Sequence, residues 1–174
     1  MKSTTPRDPA LGQGFYSVEE AARLIHAKPR TVQRWLFGYE YKGQTAGVAV
    51  RRRSEGLWTP QYGAEEFSQK ALGFLDLLEL RVVRAFVNAG VPLLVVRHCL
   101  ARARDLFGDD YPLTSQRFVT DGETVFWDSV ATVNGAANRT EKAELLNLRN
   151  GQYTFRDIVQ PSLFAGIEIG RAHV

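Results

Sequence analysis

The sequence predicts an α+β fold, mainly helical, in which a winged helix-turn-helix is followed by a second module made of a helix pair and a hairpin. Three observations predict it. Two short capped helical patterns meet in FYSVEEAARLIHAKPRTVQRWLFGY, residues 15–39. A glycine-punctuated stretch with strand character, GYEYKGQTAGVAVRRRSEGLW, follows directly. Apolar residues then recur at helical spacing across residues 72–107.

The first helix is announced by its cap. In the run from Ser17 to Glu20, the Ser17 hydroxyl can accept the Glu20 amide while the Glu20 carboxylate accepts the Ser17 amide. Such a cap is worth about 1 kcal/mol. The helix is expected to run to about His26, with Val18, Ala21, Ala22 and Ile25 inward. Pro29 suits the first turn of a second helix, where its missing N–H costs nothing. That helix is expected to end near Phe37, with Gly38 as a left-handed stop. Val32, Trp35 and Leu36 then face the first helix, and Arg30, Thr31, Gln33 and Arg34 are left outward. Arg, Gln and Thr near a helix N-terminus reach base edges in a major groove, and Arg also holds phosphate. A solvated helical face is the alternative for the same four residues.

The stretch after Gly38 reads as a β-ribbon, or wing, ending in Arg51, Arg52 and Arg53. A basic ribbon beside a reading helix lies against phosphates; the alternative is a solvated loop. Charge favours an anionic partner for this half of the chain. Residues 1–60 hold 10 Lys+Arg against 5 Asp+Glu, a net of +5, whereas residues 61–174 hold 12 against 14, a net of −2.

In LGFLDLLELRVVRAFVNAG, Leu75, Leu78, Val82, Val83 and Phe86 fall at helical spacing, and Gly90 ends the pattern. Val91 and Pro92 open the next helix, VPLLVVRHCLARARDLFG, which closes at Gly108. Arg81, Arg84, Arg97, Arg102 and Arg104 lie among the core positions, and Asp76, Glu79 and Asp105 dilute their field. A helical core or dimer-forming pair is expected ahead of a second DNA-facing pair. Asp121-Gly122 in RFVTDGETVFW predicts a hairpin turn, as Asn150-Gly151 does in LLNLRNGQYTF. Between them, SVATVNGAANRTEKAEL reads as a mobile loop; FRDIVQPSLF reads as a short helix broken near Pro161. No repeat of fixed period is present.

Hydrophobic residues make up 44% of the 174, enough for a packed core rather than a disordered chain. The only cysteine is Cys99, so no intrachain disulfide and no four-cysteine zinc site can form, and a reducing cytoplasm fits best. No apolar run reaches the roughly 18 residues that span a bilayer. The N-terminal residues 1–14 lack an apolar core and read as a flexible arm rather than a signal peptide. His26, His98 and His173 belong to no HxxxH or HExxH arrangement. His98 and Cys99 are neighbours on a helix and point about 100° apart, which suits a core edge better than a catalytic pair. Asp109-Asp110 could bind a cation, although an exposed acidic turn is the commoner outcome. Neither a nucleophile elbow nor a phosphate loop is present. No enzymatic role, cofactor or metal is expected.

With these residues placed, YSVEEAARLIHAKPRTVQRWL resembles the helix-turn-helix of MerR-like regulators. The order of that pair, GYEYKG, PQY, LGFLDLLELRVVRAFVNAGVPLLVVRHCLARA, YPLTSQRFVTDGETVFW and NGQYTFRDIVQPSL resembles a group of bacterial VapB-type antitoxins. Members carry a DNA-binding helix-turn-helix before a domain of unknown function. The resemblance covers most of residues 15–168, and FLDLLELR and FVTDGETVF are its more distinctive stretches. It implies DNA binding through Arg30, Thr31, Gln33 and Arg34, and capture of a cognate toxin by the C-terminal part. Such proteins usually continue past the equivalent of residue 168 into a further small helical domain. This chain ends instead in IEIGRAHV, and IGRAHV is encoded by one reading frame of a common sequencing adapter, ATCGGAAGAGCACACGTC. Residues 169–174 are therefore expected to be a non-native tail.

The expected organisation is a flexible arm at 1–14, a winged helix-turn-helix at 15–60, and an α+β dimerisation or partner-binding module at 61–168. The expected function is a sequence-specific, cytoplasmic transcriptional regulator serving as the antitoxin of a type II toxin–antitoxin pair. Its partners would be double-stranded DNA and a cognate toxin, with no membrane. A homodimer is expected because two half-sites one turn apart need two reading helices. Two alternatives stand beside it: a toxin-neutralising interaction module without DNA binding, and a MerR-like ligand-responsive regulator.

Overall fold

The structure, a computed structural model, describes residues 14–62 and 70–136 together with Phe155, Ile158 and Val159. Within them the chain is α+β and mainly helical. It divides into two compact units, Met1–Leu77 and Leu78–Val174.

The first unit opens with β1 (Tyr16–Ser17) and α1 (Val18–Leu24). Ser17 caps α1 as expected: its Oγ accepts from the Glu20 amide and Glu20 Oε2 accepts from the Ser17 amide, both at 3.1 Å. The helix stops at Leu24, two residues before the expected end. Ala27 N donates to Ala22 O at 2.9 Å and His26 N to Arg23 O at 3.3 Å, which is a Schellman closure. His26 takes the left-handed place, φ 55°, that glycine usually fills; histidine is among the residues enriched there. α2 (Pro29–Phe37) starts with proline in its first turn. Val32, Trp35 and Leu36 are buried against α1, whose Val18, Ala21 and Ala22 are also buried, as is Ile25 at its C-terminal cap.

Strands β2 (Tyr39–Thr45) and β3 (Val48–Ser54) form an antiparallel ribbon. Thr45 pairs with Val48, and both turn residues, Ala46 and Gly47, have positive φ. That is the signature of a type I′ turn, whose twist matches the strands. Beyond the ribbon the chain returns beneath α2, where Leu57 N donates to Trp35 O at 2.7 Å. The short strand β4 (Ala71–Leu72) then pairs with β1.

One buried carboxylate ties these pieces together. Asp76 Oδ1 accepts from Trp58 Nε1 at 2.8 Å, and Oδ2 accepts from Gln61 N and Gly73 N at 2.9 Å each. Asp76, one of the acids expected to dilute the field of the arginines on this helical pair, is fully buried.

The second unit contains most of α3 (Phe74–Asn88), then α4 (Leu93–Phe107), a 3₁₀ turn (Pro112–Thr114) and α5 (Gln116–Ala136). α3 closes at Gly90, φ 92°, with another Schellman pair of bonds: Val91 N to Phe86 O and Gly90 N to Val87 O. Its inner face differs from the expected one. Leu75 is 40% exposed and Leu78 half-buried, while Leu77 and Leu80 are buried with Val82, Val83 and Phe86.

The largest correction concerns residues 117–136. The hairpin expected at Asp121-Gly122 and the first part, Ser129–Ala136, of the loop expected over residues 129–145 both belong to α5, and the rest of that loop lies outside the described residues. Phe118, Val125, Phe126, Ser129, Val130 and Val133 are buried. Their spacing follows a period near 3.6 over several turns, and this longer pattern outweighs a two-residue turn signal. Gly122 lies on the same buried face. A Cβ there would fall 2.5 Å from Phe118 Cδ2, so the glycine makes room for a ring rather than a turn. The helix begins with Ser115 Oγ accepting from Phe118 N at 3.2 Å. Phe86 stacks on Phe126 with ring centroids 5.4 Å apart, and Phe155 packs on Phe86, Phe118 and Phe126. Phe155, Ile158 and Val159 are helical and buried, in keeping with the short helix expected there. The turn expected at Asn150-Gly151 and the break near Pro161 lie outside the described residues.

Glu79, another of the acids expected to dilute that field, is fully buried. Oε1 accepts from Leu113 N at 2.8 Å; Oε2 accepts from Thr114 N at 3.1 Å and Thr114 Oγ1 at 3.0 Å. The carboxylate thus holds the 3₁₀ turn that leads into α5. Burial pushes its pKa from 4.5 to about 7, against the pull of those hydrogen bonds. The folded chain therefore binds more protons than the unfolded chain between these values, so stability is greatest below the lower one and falls as pH rises through the window. The full loss would be about 3 kcal/mol. In thermal melts, the midpoint should fall as pH rises from about 4.5 to about 7, and Glu79→Gln should abolish that slope. A flat wild-type profile would mean that the three hydrogen bonds keep Glu79 ionised.

Candidate nucleic-acid interface

α2 offers the interface its geometry. Its buried stripe of Val32, Trp35 and Leu36 fixes which side is left over. At about 100° per residue, Arg30 and Arg34 lie at the centre of the outer side, with Thr31 and Gln33 at its two edges. The exposures agree: Arg30 and Arg34 are exposed, Thr31 and Gln33 half-buried. The four residues named from the sequence therefore share one face, with the arginines most prominent. Arg30 and Gln33 also line an open cleft of about 600 Å³ with Ser17, Val18, Glu19, Pro29 and Lys70. Lys70 Nζ lies 5.1 Å from the Phe37 ring centroid.

The ribbon leaves α2 through Gly38, whose φ of 74° and ψ of −177° are open to glycine almost alone. A Cβ at Gly38 would also fall 2.3 Å from Ser54 O. The turn is thus fixed by conformation and by close approach.

The three consecutive arginines do not form one patch. Side chains alternate across a strand, and directly opposed residues share a face. The register pairs Lys42 with Arg51, Tyr41 with Arg52 and Glu40 with Arg53. Arg51 and Arg53 therefore lie on one face and Arg52 on the other. Arg51 Nη1 is 3.8 Å from Glu40 Oε2. Arg53 Nε is 3.2 Å from Glu55 Oε1, and its Nη2 donates to Phe37 O at 3.2 Å. Arg52 Nη2 donates to Thr45 Oγ1, and its chain runs across Gly43, whose Cβ would meet it at 2.8 Å.

The sequence reading missed the aromatic residues of the ribbon. Arg34 lies with its guanidinium carbon 4.6 Å from the centroid of the Tyr39 ring, a cation–π contact. Tyr39 and Tyr41 are neighbours on one face, their ring centroids 5.9 Å apart. The signal was present as alternation: YEY and VAV each place two apolar side chains two residues apart.

Among the described residues, no cluster of three or more His, Cys, Asp or Glu is placed to hold a metal ion. In the second unit, burial pushes the Cys99 thiol up to about 12, which leaves it protonated and a poor nucleophile. Asp109 Oδ1 accepts from the Tyr111 amide at 2.9 Å, so this acidic turn is closed by its own backbone. No helix of the described residues is long and apolar enough to cross a membrane. What α2 and the ribbon can do chemically is present cations, an amide and phenol rings to an anionic surface.

Gly38→Ala should destabilise the first unit by about 1–3 kcal/mol, the scale of a strained backbone position, seen as a lower thermal midpoint. An unchanged midpoint would show that the ribbon's departure from α2 does not need glycine.

No family model matches the chain, and no solved structure matches it. A curated relative does. Over 147 residues the chain is 30% identical to the protein of Mycobacterium tuberculosis named "Putative antitoxin VapB45". The match takes in 84% of this chain, which spans 59% of that relative's length.

Proposed function

We propose that the chain is a sequence-specific DNA-binding protein acting as the antitoxin of a toxin–antitoxin pair in the bacterial cytoplasm. It binds its own operator as a homodimer, with double-stranded DNA and a cognate toxin as partners. The α1–α2 pair serves as a MerR-like helix-turn-helix and the β2–β3 ribbon as its wing. The observation that carries the DNA reading is the outward face of α2, where Arg30 and Arg34 stand exposed between Thr31 and Gln33 while the opposite side is locked into the core. The likeness to a protein named as an antitoxin supports the second half of the reading. Arg30 and Arg34 would read base edges in the major groove, where an arginine contributes about 1–3 kcal/mol of discrimination per good contact. The ribbon would lie along the adjacent backbone.

A reading without DNA has one observation in its favour. Residues 61–174 hold 12 Lys+Arg against 14 Asp+Glu, a net of −2, so the second half of the chain does not share the positive charge of the first. A pair of measurements separates the two. The purified chain should bind its own upstream DNA more tightly than a scrambled duplex, with affinity falling steeply as salt rises. Arg30→Ala or Arg34→Ala should erase most of that preference, and in co-expression the Arg30→Ala/Arg34→Ala chain should still neutralise the toxin of the neighbouring gene. Equal binding to both duplexes at every salt concentration would defeat the operator reading and leave the interaction module.

A further inference from the structure

The ribbon has two unlike faces. One carries Tyr39, Tyr41, Val48 and Val50, which remain 38%, 43%, 64% and 39% exposed, together with Arg52. The other carries Glu40, Lys42, Arg51 and Arg53. We propose that the ribbon meets the sugar–phosphate backbone of duplex DNA with its tyrosine–valine face, and that Arg52 alone of the three consecutive arginines touches phosphate. The proposal rests on the DNA-binding reading and says which side of the ribbon does the work.

Three observations carry it. The first is continuity. Arg34 lies on the Tyr39 ring, and Tyr41 follows Tyr39 on the same face, so this side of the ribbon runs on from the exposed side of α2. The second is charge. The strand residues on the Tyr39 side include no carboxylate. Across the ribbon, Arg51 lies 3.8 Å from Glu40 in an exposed pair, and Arg53 is engaged by Glu55 and the Phe37 carbonyl. An approaching polyanion therefore meets Arg34 and Arg52 with no acid between them, whereas the cations of the far side, Lys42, Arg51 and Arg53, are interspersed with Glu40 and Glu55. The third is chemistry. A two-stranded ribbon in water is marginal, and four large apolar side chains left exposed on one face favour a cover. Deoxyribose is an apolar ring flanked by anionic phosphates. Valine methyls and tyrosine rings suit the sugar, while the phenol hydroxyls and Arg52 suit the phosphates. Arg52 is already held out along the ribbon by Thr45 and by its path over Gly43, so little of its freedom remains to be lost on binding.

The test compares two variants that each remove one charge from the full chain, Arg52→Gln and Arg51→Gln. Binding to the upstream duplex is followed by fluorescence anisotropy across salt concentrations, with circular dichroism to check folding. Arg52→Gln should lower the slope of log affinity against log salt by about 0.9, the value of one phosphate contact. Arg51→Gln should leave the slope unchanged. Tyr41→Ala should weaken binding several-fold at every salt concentration, with no change of slope. Equal slopes for the two arginine variants, or a loss confined to Arg51→Gln, would overturn the assignment of the face while leaving DNA binding intact. A wild-type chain that does not bind the duplex would defeat the DNA reading, and this proposal with it. If Arg52→Gln and Tyr41→Ala leave DNA binding untouched but lower the mass seen in sedimentation, the face covers a second copy of the chain and the proposal is wrong.

Discussion

The path of the chain between the ribbon and α3 hangs on a carboxylate that is out of reach of water. Burying a charge is costly unless hydrogen bonds replace its hydration. Asp76 meets that condition with the indole of Trp58 and the amides of Gln61 and Gly73. These donors come from different parts of the chain, so the geometry that satisfies Asp76 also fixes where the chain goes after the ribbon and where α3 begins. The ribbon's base is held from the other end by the Leu57 amide on Trp35 O and by the close approach at Gly38. The course of the chain after the ribbon is thus a consequence of a buried network, while the face presented by α2 follows from its own buried stripe. Glu79 plays the corresponding part in the second unit, where it gathers the amides that start the 3₁₀ turn before α5.

Local signals were legible where the physics is local. The capping box at Ser17, the proline at the start of α2 and the strand character on either side of Gly47 all concern residues a few positions apart, and the structure carries each of them. The four outward residues of α2 followed from the same local reading, because three large apolar side chains fix the remaining face. The failures came from residues whose role depends on distant partners. Asp76 and Glu79 look like solvated acids until Trp58 and Leu113 are placed beside them. Asp121-Gly122 is a strong turn signal by itself. It lost to a helical repeat that needs Phe118 through Val133 to be read together, with Gly122 yielding its side-chain space to a phenylalanine ring. The three arginines are adjacent in sequence, and the face that each takes depends on the strand register. Alternation along a strand sends adjacent residues to opposite sides.

The two units differ in how they use charge. In the first, the arginines of α2 stay in solvent while the acids near the ribbon take up Arg51 and Arg53. Arg34 and Arg52 share a side with the phenol rings of Tyr39 and Tyr41, an arrangement suited to a polyanion with an apolar component. In the second, the aromatic cluster of Phe86, Phe118, Phe126 and Phe155 dominates, and its buried acid is used to shape backbone.

The burial of Cys99 has a practical consequence. It is the chain's only cysteine, sits 2% exposed inside the helical core of the second unit, and keeps its proton at ordinary pH. A thiol in that state is shielded from alkylating reagents and oxidants until the surrounding helices part. The rate at which it is modified is then a clock for the opening of that unit alone, read at one atom and without a label to introduce.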